Sequence, residues 1–142
     1  MSKEIPPKRQ KAIYVGAPAC FALELAVRQL NEAFGHNDSY GTYLVGSALE
    51  RPDWRDIDVR MIMSDDGFRR LFPDAGPIAE GRWEFDPRWL IMTTAISAWL
   101  AKQSGLPIDF QFQPQSHANA KHKGRRNALG LHFAVEQTED DE

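Results

Sequence analysis

Two short predicted strands, separated by eight residues, constrain the fold of this chain more than any other feature. The first is an apolar run that ends in Gly46 and Ser47, and the second alternates polar and apolar residues from Asp56 to Met63. Alternate residues of a strand share a face, so Asp56 and Asp58 are predicted to lie on one side. At about 3.3 Å of rise per residue, they stand about 6.6 Å apart. Two ionised carboxylates at that distance repel unless a cation lies between them.

The Asp pair therefore predicts a divalent cation. Mg²⁺ prefers hard oxygen ligands and is usually shared between a few carboxylates, water and substrate phosphates. Gly46 has no Cβ, which lets the backbone and the Ser47 hydroxyl approach a phosphate closely.

A third carboxylate follows on a later alternating run, from Pro107 to Phe112, where Asp109 begins the polar row. If the strands are neighbours, Asp56, Asp58 and Asp109 meet at one edge of a sheet. Two metal ions about 3.5–4 Å apart can be shared by such a set of ligands.

This ordered set, an apolar strand with Gly-Ser, then Asp-x-Asp, then a later Asp, resembles the nucleotidyltransferases of the DNA polymerase β-like superfamily. The resemblance covers roughly Ala19 to Phe112. It implies a minimal metal-dependent enzyme that transfers a nucleoside monophosphate from an NTP such as ATP to an acceptor hydroxyl and releases pyrophosphate. Asp56, Asp58 and Asp109 would hold two Mg²⁺ ions, and Asp109 would also help to deprotonate the acceptor.

The resemblance also implies that the nucleotide phosphates lie near Gly46 and Ser47. Many relatives carry an Arg shortly after the Gly-Ser, and Arg51 and Arg55 are the candidates here.

Two other residues near the Asp pair have two interpretations each. Trp54 either stacks on a nucleotide base or packs against the fold. Arg60 follows Asp58 by two residues, on the same face, and either offsets the local negative charge or contacts a phosphate.

Bulk properties are those of one globular domain. The chain has 142 residues, 42% of them hydrophobic, and a net charge of −3, which disfavours a uniformly basic protein that coats nucleic acid. The single Cys20 permits no intrachain disulfide. No apolar run approaches the roughly 20 residues that span a bilayer, and the N-terminal segment does not resemble a signal peptide. We expect a cytoplasmic protein without membrane contact.

Helical periodicity predicts two long amphipathic helices, Ala19 to Phe34 and Asp86 to Gln103. The predicted fold class is α/β (α+β), a short mixed sheet packed against these two helices. Residues 1–12 are predicted as a flexible arm, 13–114 as the catalytic domain, and 115–142 as a polar, basic and then acidic tail.

The predicted tail contains a cationic cluster, Lys121, Lys123, Arg125 and Arg126. It is either a solvated segment or a contact for a triphosphate or a nucleic-acid acceptor. The acceptor itself is open between a protein, a small molecule and a nucleic acid, and a homodimer or a partner protein can complete the site. Two alternative functions remain: an antitoxin-like module that binds a protein partner, and a nucleotide- or nucleic-acid-binding protein that kept the fold without turnover.

Overall fold

A computed structural model describes residues 13–35, 39–121 and 123–130. Within these ranges the chain forms four α-helices and four β-strands. In chain order they are α1 (Ala19–Phe34), β1 (Ser39–Val45), β2 (Ile57–Met63), α2 (Asp65–Leu71), α3 (Pro87–Ser104), β3 (Ile108–Pro114), α4 (Gln115–Lys121) and β4 (Asn127–Leu129). Three short 3-10 helices, Gly46–Leu49, Ile78–Glu80 and Arg82–Phe85, lie in the connections.

The four strands form one mixed sheet in the order β3-β2-β1-β4. β1 runs antiparallel to both β2 and β4, whereas β2 and β3 are parallel. A parallel pair needs a long crossover connection, and here the segment that contains α2 and α3 supplies it. The predicted class, a mixed sheet with two long helices, is confirmed.

The alternation of β2 places one set of its side chains, all of them apolar, in the core. Ile57, Val59, Met61 and Met63 are each fully buried in the core. α1 and α3 pack on this core, and Phe34 of α1 meets Phe112 of β3 with ring centroids 5.2 Å apart. The other side chains of β2 and β3, among them Asp58 and Asp109, alternate with these apolar residues.

The two long helices occupy the predicted ranges for physical reasons visible in their ends. Asp86 caps α3 by accepting a hydrogen bond from the Trp89 amide at 3.0 Å, and Pro87 occupies the first turn. Gly105 ends the helix in the left-handed conformation, with φ of 75°.

The domain extends further along the chain than the predicted boundary at residue 114. α4 follows β3 directly, and β4 pairs with β1, so that Leu129 is almost fully buried. The described residues 115–121 and 123–130 therefore belong to the folded domain, and β4 adds a strand to its sheet. The predicted arm at 1–12 and the acidic segment from Glu136 lie outside the described residues.

None of the α-helices in the described ranges combines the length and the apolar composition that crossing a membrane requires.

Candidate functional site

The sheet brings Asp58 and Asp109 side by side. The parallel register pairs Asp58 of β2 with Asp109 of β3, so their side chains leave the same face of adjacent strands. Both carboxylates are partly exposed, with 30% of the Asp58 side chain and 47% of the Asp109 side chain accessible to solvent. Asp58 and Asp109 are neighbours because side chains alternate along each strand and the two strands pair in this parallel register.

The Gly-Ser turn reaches the same place from the other side of β2. β1 pairs Val45 with Asp58, and the chain then turns at Gly46 into the 3-10 helix Gly46–Leu49. Gly46 has φ of +81°, and a Cβ added to it would lie 2.5 Å from Oδ2 of Asp58. Glycine is therefore required here both by backbone conformation and by the proximity of a carboxylate.

Asp56 lies directly before the strand that carries Asp58. β2 begins one residue later, at Ile57, whose amide donates to the Pro107 carbonyl at 2.8 Å. Its side chain is exposed and lines the same cleft as Asp58.

That cleft has a volume of ≈ 410 Å³ and is lined by Ser47, Arg51, Asp53, Arg55, Asp56 and Asp58. A larger hollow of ≈ 580 Å³ lies between α2, the loop at 73–79 and Ser116. We assign the site to the smaller cleft, because there the predicted ligands and cations converge. Asp109 lies beside the cleft, next to Asp58, and not in its lining.

The two candidate arginines both line the cleft, in different environments. Arg51 forms an ion pair with Asp53 at 3.1 Å, and both side chains are largely exposed. Arg55 is exposed. Trp54, between them, packs against the core and donates from Nε1 to the Tyr14 carbonyl at 2.8 Å. The packing interpretation of Trp54 is therefore the one that the structure favours.

Arg60 lies between the two strand carboxylates. Its Nη2 is 3.7 Å from Oδ1 of Asp58 and 3.4 Å from Oδ2 of Asp109. Its Nη1 donates to the carbonyls of Asp109, at 2.6 Å, and Val59, at 3.1 Å. Of the two interpretations of Arg60, the structure supports the one in which it offsets the local negative charge.

The surroundings of Asp58 change the pKa of its carboxyl. Partial burial raises the pKa of the Asp58 carboxyl above its ordinary value, and the negative charges of Asp109 and Asp56 add to that effect. The positive charge of Arg60 acts in the opposite direction. The carboxyl of Asp58 is thus held in a place where added positive charge is favourable.

Two chain segments other than β2 and β3 contact the 3-10 helix that follows Val45. The Tyr14 amide donates to the Ala48 carbonyl at 2.8 Å, and the Arg125 guanidinium donates to the Leu49 carbonyl. Arg126 donates to the Ala118 carbonyl at 3.2 Å. Sequence reasoning missed the contact of Arg125, because a charge cluster 76 residues away carries no local signal of where it folds back.

In the described ranges, no three Asp, Glu, His or Cys side chains are grouped in a way that could hold a metal ion. The two Mg²⁺ ions predicted for Asp56, Asp58 and Asp109 stay a prediction. The donor set nonetheless suits one hard cation, since Asp56 and Asp58 present carboxylate oxygens to the cleft that Ser47 also lines.

Comparison of this chain with protein-family models, curated proteins and solved structures gives no match.

Proposed function

We propose that this protein is a Mg²⁺-dependent nucleotidyltransferase, which transfers a nucleoside monophosphate from an NTP to an acceptor hydroxyl. The observation that supports this proposal most is the register of three strands. Asp58 pairs with Asp109 on one side and with Val45, directly before the Gly46 turn, on the other. A glycine-serine turn, a strand carboxylate and a second strand carboxylate are thereby neighbours in space.

The carboxylates of the cleft are the kind of oxygen donor that Mg²⁺ prefers. Asp56 and Asp58 would hold Mg²⁺ in the cleft, together with phosphate oxygens of the nucleotide. When bound, Mg²⁺ neutralises charge on the transferring phosphoryl group and the leaving pyrophosphate.

The protein's own groups would then orient the substrates and move one proton. Arg51 and Arg55 place positive charge on the cleft wall, where nucleotide phosphates would lie. Asp109 is half exposed beside Asp58 and would accept the proton of the acceptor hydroxyl. The hydroxyl oxygen forms a bond to the α-phosphorus, the bond from that phosphorus to the bridging oxygen breaks, and pyrophosphate leaves with the electron pair.

The test is incubation of the purified protein with Mg²⁺, each labelled NTP and a lysate that supplies acceptors, followed by measurement of label transfer and pyrophosphate. The Asp58→Asn variant should lose at least about 100-fold in rate, because removal of a metal ligand exceeds the usual cost of disturbing its supporting contacts. Asp66→Asn is the matched control, since Asp66 is exposed and pairs only with Arg69 among the described contacts. If Asp58→Asn turned over as fast as the unmodified protein, the proposed function would be wrong.

A cytoplasmic location is part of this proposal, because that compartment supplies both NTPs and Mg²⁺.

A second candidate is the antitoxin-like module that acts by binding a protein. It is favoured by an apolar strip on α3, where Leu90 and Ile91 are 43% and 69% exposed and line a shallow hollow with Thr94 and Ala95. Stable co-purification of a partner, lost in Ile91→Asp, together with no pyrophosphate release would favour this function over the enzyme. Thermal stabilisation by NTP and Mg²⁺ without turnover and without a partner would instead indicate the nucleotide-binding protein.

A further inference from the structure

Arg60 is a buried charge that faces two carboxylates, those of Asp58 and Asp109. Only 7% of the residue is exposed. Two backbone carbonyls, of Val59 and Asp109, accept hydrogen bonds from Nη1 and hold the guanidinium in place. The remaining amino group, Nη2, is directed at Asp58 and Asp109.

This arrangement differs from an ordinary surface ion pair. Nε of Arg60 is buried and has no hydrogen-bond partner among the described residues, so the guanidinium has lost water without full replacement. Removing a charge from water is costly and is offset only by close opposite charges and good hydrogen bonds. The two carboxylates provide those charges, and their own mutual repulsion falls because Arg60 lies between them.

The position of Arg60 restricts where a metal ion can bind. Oδ1 of Asp58 and Oδ2 of Asp109 face Nη2 at 3.7 and 3.4 Å, so an ion that bridged these two oxygens would lie beside the guanidinium. A divalent cation beside a fixed guanidinium is strongly repelled, because the site is partly shielded from water. Oδ2 of Asp58 lies on the Gly46 side instead, and the exposed Asp56 lines the same cleft as Asp58. A cation held by Asp56 and Oδ2 of Asp58 would not use the oxygens that face Nη2.

We propose that Arg60 is a built-in cation that occupies the space between Asp58 and Asp109, so that the site takes one divalent cation, at Asp56 and Asp58, instead of two. The inference rests on the proposed nucleotidyltransfer. It makes Asp109 a partner of Arg60 and a proton acceptor, and not a metal ligand.

The test counts metal ions on the full chain. Mn²⁺ serves as the probe, with an NTP analogue whose α,β-bridging oxygen is replaced by a methylene group, so that no transfer occurs. Titration calorimetry should give one Mn²⁺ per protein-nucleotide complex, and electron paramagnetic resonance should show an isolated ion. Arg60→Met keeps the apolar stem and removes the charge, so a second Mn²⁺ should bind and couple magnetically to the first. Arg60→Lys keeps the charge and should stay at one.

Variants of the carboxylates test the inference even if Arg60→Met does not fold. Asp56→Asn should weaken Mn²⁺ binding by more than about 10-fold, whereas Asp109→Asn should change it by less than about 3-fold, since only the former loses a ligand. The one-cation site would be wrong if both variants lost the same Mn²⁺ affinity, or if the unmodified protein bound two coupled Mn²⁺ ions. Either result would leave the proposed transferase intact. Absence of Mn²⁺ binding together with absence of pyrophosphate release would instead remove the proposed function.

Discussion

A Cβ on Gly46 would lie 2.5 Å from Oδ2 of Asp58, closer than a Cβ carbon approaches a neighbouring atom. The turn after β1 and the carboxylate of β2 therefore depend on one another. The turn can pass this close only without a side chain, and the Asp58 carboxylate can keep its present position only if the turn has none.

Gly46→Ala is expected to displace the Asp58 carboxylate as well as strain the backbone. The positive φ of +81° costs an Ala about 1–2 kcal/mol, and a shift of the carboxylate by about 1 Å can reduce turnover by about 100-fold. Thermal unfolding and initial rates measure the two effects separately.

Gly76→Ala is the matched control. Gly76 has the same φ of +81°, but an added Cβ would meet nothing within 4 Å. Gly76→Ala should lose similar stability and keep its turnover. If both variants keep full activity, Gly46 is not needed at the site.

Ser97 holds the outer edge of β3 beside Asp109. Its Oγ accepts a hydrogen bond from the Phe110 amide at 2.9 Å and lies 3.3 Å from the Phe110 carbonyl, to which it donates. Ser97→Ala leaves both backbone groups unpaired and should lower the free energy of unfolding by about 1–3 kcal/mol. Urea denaturation measures this loss. Thr94→Ala, on an exposed position of the same helix, should change stability by less than about 0.5 kcal/mol; equal losses would show that Ser97 has no special role at the edge.

His117 on α4 makes stability depend on pH. Its ring lies 4.9 Å from that of Trp83, and burial lowers its pKa below 6.5, with further lowering by Lys121 and Arg60 and an opposing effect of Glu84. Since the unfolded chain binds this proton more readily, the contribution of His117 to stability is fully present above 6.5 and is lost as the pH falls through the folded pKa.

Denaturation at a series of pH values around 6.5 should therefore show decreasing stability towards acid, and His117→Gln should flatten that dependence. If the pH dependence of stability were unchanged in His117→Gln, it would arise from other titratable groups.

Arg125 connects the segment before β4 to the Gly-Ser turn through the Leu49 carbonyl. Arg125→Met removes this hydrogen bond and should lower the free energy of unfolding by about 1 kcal/mol. The KM for the nucleotide should rise, because the turn is then held less firmly. Lys123→Met removes the same charge from an exposed position two residues away. If the two variants raise KM equally, the charge and not the hydrogen bond is responsible.

The local patterns were sufficient for the two long helices and insufficient for the short elements near the end of the described chain. The 3.6-residue periodicity predicted α1 and α3, because each buries one apolar stripe against a sheet. The strand start at Asp56 was wrong by one residue, since the Ile57 amide pairs with Pro107 and the ladder begins there. The polar composition after residue 114 concealed α4 and β4. Only three residues of β4 pair, and their burial depends on β1 and α1 instead of on their own pattern.

By itself the sequence determined which groups are available at the site: two carboxylates at Asp56 and Asp58, a third at Asp109, and a turn at Gly46 that can tolerate positive φ. The tertiary structure alone decided which of them meet. The parallel register sets Asp109 beside Asp58, and the side chain of Arg60 lies between them. The physical reason is that alternation along a strand is a local property of the chain, whereas strand register and the partner of a buried charge depend on how distant segments pack.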